Sequence, residues 1–125
     1  MSEIRVTTIS NAAGTGPVTL TKQHAAKAWV NFNGSSTTSI RGSFSVSSVT
    51  DTGVGNTTVT ISSAMSSADS YATVGNSGNG STNPGNAFTS SNPITSTTGH
   101  HETMNDEANN SDRGHNSLIF FGDLA

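Results

Sequence analysis

Apolar residues along this chain recur mostly at every second position. Ala28, Val30 and Phe32 alternate with Trp29, Asn31 and Asn33, and Gly34 closes the run. A period of two marks a strand with one face buried. Ser39-Ile40-Arg41 predicts a short extended piece before Gly42. Phe44, Val46 and, after a slip at Ser47-Ser48, Val49 make the next strand, and Thr57-Thr58-Val59-Thr60-Ile61 alternates again. Between these two lies Asp51-Thr52-Gly53-Val54-Gly55-Asn56, so the pair reads as an antiparallel hairpin. A further strand is expected over 68–75, around Tyr71 and Val74. The run Leu118-Ile119-Phe120-Phe121-Gly122-Asp123 is apolar enough to predict a strand buried on both faces.

Ahead of these strands, residues 1–26 read as an extended N-terminal arm and connector. Ile4, Val6 and Ile9 alternate, Asn11 to Pro17 is a turn by composition, and Val18 and Leu20 resume. Thr21 to Ala28 is the best helix candidate, one or two turns with Thr21 as a possible cap. Residues 27–125 then form the main domain, interrupted by a long polar stretch over 76–116 that is rich in Asn, Ser and Gly. Such a stretch reads as a loop region placed for outside contacts, with Asn79, Asn83, Phe88 and Asn92 as its candidate contact residues.

Composition changes the picture in one respect. Ser (21), Thr (19), Asn (13) and Gly (13) make up 66 of 125 residues, while Leu, Ile, Val and Phe total 22. Only 10% of residues are charged and the net charge is −3, so the chain is polar without the charge that drives disorder. Ser and Thr tolerate extended backbone, and Gly and Asn supply turns. A core built from so few large side chains is small, and ordering each residue costs about 1–2 kcal/mol of backbone entropy. Identical neighbours are therefore expected to supply further buried surface. No basic patch exists to follow a phosphate backbone, which disfavours nucleic acid as a partner. No apolar run nears the roughly 20 residues of a membrane helix. There is no cysteine, so disulfides and thiolate metal sites are excluded.

Chemistry-bearing residues are sparse. His100, Glu102 and His115 form the one cluster with metal-ligand character, near Asp106 and Glu107. His100 and Glu102, two apart, would share a strand face, whereas His101 would point the other way. Solvated loop histidines are the plainer reading, and no cofactor is expected. No Gly-x-Ser-x-Gly elbow occurs, and Asp106-Glu107 has no defined cleft, so catalysis is not expected. Trp29 is the single Trp. Trp29, Phe32, Phe120 and Phe121 are the candidate subunit-interface residues, because large aromatics dominate burial. Phe120 and Phe121 must face opposite ways, so one of them is expected to meet another subunit.

The string Lys27-Ala28-Trp29-Val30-Asn31-Phe32-Asn33-Gly34 resembles a domain found near the C-termini of tail fibre proteins of marine and other tailed bacteriophages. The similarity continues through Ile40-Arg41, the run Phe44 to Asp51, Gly53 to Ile61, Ala64-Met65, Tyr71 and the closing Ile119 to Asp123. Ile9 to Gly16 also resembles segments that precede this domain. Residues 76–116 fall outside the resemblance. It implies a virion protein assembled in the bacterial cytoplasm, all-β and homotrimeric. The expectation is then an all-β chain, a small antiparallel β-sandwich-like domain with an extended N-terminal arm. Ile4, Val6 and Ile9 would anchor the arm to other virion proteins, and the polar region would face a host cell-surface glycan. A capsid decoration or head-fibre protein, and a carbohydrate-binding module without catalysis, remain open beside the tail fibre reading.

Overall fold

The computed structural model describes residues 25–78, 88–105 and 107–125, with the backbone alone given for 88–90. The expected arm, with Ile4, Val6 and Ile9, lies outside the described residues, as do Asn79, Asn83 and Asp106. The described part is an all-β sandwich of two four-stranded antiparallel sheets. Eight strands run in chain order: β1 (Ala26–Asn33), β2 (Ser39–Phe44), β3 (Val46–Gly53), β4 (Asn56–Ile61), β5 (Tyr71–Gly78), β6 (Phe88–Thr95), β7 (Thr98–Met104) and β8 (His115–Gly122). One sheet has the order β2-β1-β8-β5, the other β3-β4-β7-β6. A 3-10 turn, Ala68–Ser70, leads into β5.

The predicted hairpin is β3–β4, and its register shifts between Val46 and Ser48, where the sequence slips. Gly55 in its turn has φ of +68°, and a Cβ there would run into the Thr103 carbonyl and the Ser111 amide. Only glycine combines that backbone with that approach. The alternation in β1 is borne out: Ala28, Val30 and Phe32 are buried. They join Val59, Ile61, Met65, Tyr71, Leu118 and Phe120 in one core between the sheets, with Val46 and Val49 packed against it.

Three expectations need correction. The helix candidate ends in a strand, since Ala26 and Ala28 pair with Phe121 and Phe120 of β8. Tertiary pairing overrides the helix preference of an Ala/Lys run too short to stand alone. The described part of the polar stretch 76–116 is largely sheet: it holds the end of β5, all of β6 and β7, and the start of β8. The β8 run is buried on one face only, because Leu118 and Phe120 are fully enclosed while Ile119 and Phe121 are half-buried.

Candidate functional site on the outer sheet faces

With β8 inserted between β1 and β5, four outward residues fall into register across one sheet. Phe44 of β2 pairs with Trp29 of β1, Trp29 with Ile119 of β8, and Ile119 with Val74 of β5. The result is an apolar row crossing all four strands on the outer face. Phe44 and Val74 are each 58% exposed and Trp29 is 42% exposed. The six-membered ring of Trp29 reaches over Gly42, close enough that a Cβ there would lie 3.5 Å from Cη2. One step along the strands the next row is polar: Gly42, Asn31, Ser117 and Asn76, with Asn31 Nδ2 donating to Ser117 Oγ at 3.1 Å. On the other side of the apolar row, Phe121 of β8 stands opposite Ala72 of β5. Beside them is an open depression of about 410 Å³, lined by Asp69, Ser70, Tyr71, Ala72, Phe121 and Gly122.

The outer face of the second sheet is different in kind. Thr50, Thr58, His100 and Asn92 lie in register across β3, β4, β7 and β6. The neighbouring row brings Asn56 of β4 against Glu102 of β7 and Glu102 against Ser90 of β6. This face offers hydroxyls, amides, an imidazole and a carboxylate, with Ile94 of edge strand β6 exposed beside them.

The interior is also divided. Away from the apolar core, Thr57, His101, Thr103, Arg113 and Asn116 are buried. Arg113 Nη2 donates to the Met104 carbonyl at 3.0 Å, Asn116 Nδ2 to the Arg113 carbonyl at 2.7 Å, and Thr103 Oγ1 to the Ser111 carbonyl at 2.6 Å. These bonds tie the 105–114 connection to the sandwich. His101 is fully enclosed, edge-on to the Phe32 ring at 5.9 Å. Neither ring nitrogen has a hydrogen-bond partner. Gly75 makes room for the ring, since a Cβ there would come within 2.6 Å of Nδ1. Burial lowers the His101 pKa to about 4, and neighbouring His100 adds to the shift. The imidazole is therefore held neutral.

Of the candidate interface residues, the structure keeps two outside and moves two inside. Trp29 and Phe121 face outward. Phe32 and Phe120 have no exposure and cannot meet another subunit. Phe32 packs on His101, and Phe120 lies 5.9 Å from the Tyr71 ring. Alternation says that Phe120 and Phe121 diverge, but only the second sheet decides which is enclosed. Phe44 was not among the candidates: hairpin counting from Asn33–Ser39 would set Ser43 opposite Trp29, and only the register shift between Asn31 and Phe32 brings Phe44 there. Among the candidate contact residues, Asn92 is exposed on β6 and Phe88 begins that strand.

The candidate metal ligands are not brought together. His100 and Glu102 share the outer face of β7, as their spacing predicts. His115 lies on β8 in the opposite sheet, where Arg41 Nη1 stands 3.3 Å from its Nδ1. A guanidinium only donates, so the Nδ1 lone pair is engaged there. Among the described residues, no three His, Cys, Asp or Glu side chains are grouped to hold a metal ion. Comparison with protein-family models, curated proteins and solved structures finds no match to this chain.

Proposed function

We propose that this chain is a structural protein of a bacteriophage virion, a short tail fibre or tail-appendage module that works by assembly and surface contact without catalysis. The observation that carries the reading is the exposed apolar row Phe44–Trp29–Ile119–Val74 on one face of a sandwich whose other face is mainly polar and has no such row among the described residues. Contiguous apolar surface of this kind marks an interaction site. The segments that resemble the fibre domain become β1, β3, β4, β8 and part of β2, so the resemblance lies in the strands that build the sandwich. In this reading identical chains, three in the homotrimer, cover the apolar face with Trp29 and Phe121 in the contact. The Thr58–His100–Asn92 face looks outward, toward a host surface glycan. Other virion proteins hold the module in place.

Whole-virion density is the test. The reading expects this chain in the tail, in a few to a few tens of copies. Hundreds of copies following capsid symmetry would convert it to a decoration or head-fibre protein. Absence from the particle would end the virion reading.

A further inference from the structure

The apolar face carries a projection and a recess, and they sit at opposite sides of the same sheet. Phe44 is the projection. It ends edge strand β2 and is 58% exposed. The recess is the 410 Å³ depression where β5 begins beside the end of β8, walled by Phe121 and Ala72 and bordered by Asp69. Its size is within the range of pockets that accept a small organic group, about 300–1,000 Å³. Two to three interstrand spacings separate the two features, roughly 10–14 Å, so Phe44 cannot fill the recess of its own chain.

We propose that this face binds a second copy of the chain, with Phe44 of one copy seated in the Asp69–Ala72–Phe121 recess of the other. This rests on the self-assembly reading above and specifies its contact. Charge fits the arrangement. Lys27 lies in the register irregularity of β1 opposite the Phe121 end of β8, one strand from Phe44, and Asp69 borders the far side of the recess. Docking brings a cation toward a carboxylate. A chain with net charge −3 over 125 residues offers little general repulsion between copies. An aromatic ring entering an apolar recess is the usual anchor of such a contact.

Projection and recess lie on one face, so two copies can engage them reciprocally about a twofold axis, or successive copies can engage them one after another in a ring. A ring of three would agree with the homotrimer proposed above.

The test uses the full chain, with mass read by sedimentation and by light scattering after gel filtration. The emission of Trp29, the cross-strand neighbour of Phe44, reports the contact itself. The wild type is expected as a narrow oligomeric species whose Trp29 emission shifts red on dilution. Phe44→Glu removes the projection and Ala72→Arg blocks the recess. Each should reduce the protein to single copies with an unchanged circular dichroism spectrum. Mixing the two should restore a one-to-one pair, because one supplies an intact recess and the other an intact projection. Should Phe44→Glu fail to fold, the charge pair provides the second route. Asp69→Lys should weaken association several-fold, and Lys27→Asp added to it should restore association. A monomeric wild type, an oligomer that survives both single substitutions, or a mixture that stays monomeric would each overturn the proposal. Copies that stand apart in virion density would overturn it while leaving the virion reading intact. An oligomer made through Phe44 by a chain absent from virions would do the reverse.

Discussion

The two sheets of this sandwich have the same number of strands and the same antiparallel pairing, yet their outer faces are opposites. One shows Phe44, Trp29, Ile119 and Val74 in a row; the other shows Thr50, Thr58, His100 and Asn92. The contrast originates in the strands at each centre. β8 is apolar on both faces over Leu118 to Phe121, and β1 places Trp29 outward beside Asn31 and Asn33, so enclosing Phe32 and Phe120 still leaves Trp29, Ile119 and Phe121 outside. β4 alternates strictly, with Thr57, Val59 and Ile61 inward and threonines outward. A strand that is apolar on both faces of a two-layer protein has a second surface to hide, and no third layer is present among the described residues.

The sharpest way to separate inside from outside is to truncate neighbours. Phe32→Ala should cost about 3–5 kcal/mol, as for other fully buried Phe side chains, whereas Trp29→Ala should change the stability of the single chain by less than about 1 kcal/mol. Urea unfolding at low protein concentration gives both values. Equal losses would mean that the outer row supports the fold itself.

Adjacent histidines supply the next comparison. His101 faces inward and His100 outward on the same strand. The folded pKa of His101 is lowered to about 4 from 6.5, so as pH falls the unfolded chain takes up the proton first. Stability is then unaffected by this group above pH 6.5 and declines between 6.5 and about 4, by about 3 kcal/mol in all. His101→Leu should remove most of that decline in urea unfolding measured across this range, and His100→Leu should retain it. A decline that persists in His101→Leu would assign it to the carboxylates.

Making the first face resemble the second should have a smaller effect on the fold. Trp29→Thr with Phe44→Thr should leave single-chain stability within about 1 kcal/mol and abolish self-association, read by light scattering. The reverse change, Thr58→Val, is the mildest. It should shift stability by no more than about 0.5 kcal/mol and leave the mass in light scattering unchanged, because one such replacement does not make a patch.

Several features were legible in the chain before any tertiary contact. The alternation of Ala28, Val30 and Phe32 determined β1 and its inner face. The Gly-rich turn between Val49 and Val59 determined the β3–β4 hairpin, and the Ser47-Ser48 slip marked its irregular register. β6 and β7 were not legible. The inward residues of β7 are Gly99, His101 and Thr103, none of which gives an apolar signal. They face inward because Phe120 needs the space over Gly99, because Gly75 receives the His101 ring, and because Thr103 bonds the 105–114 connection.

Local pattern thus determined that strands form and that adjacent aromatics diverge, because a side chain alternates sides wherever backbone is extended. It could not determine which side is inside. That was decided when β8 inserted between β1 and β5 and the second sheet closed over Phe120 rather than Phe121. Enclosure depends on what lies across the layer, and residues brought there from distant parts of the chain leave no mark on the local sequence.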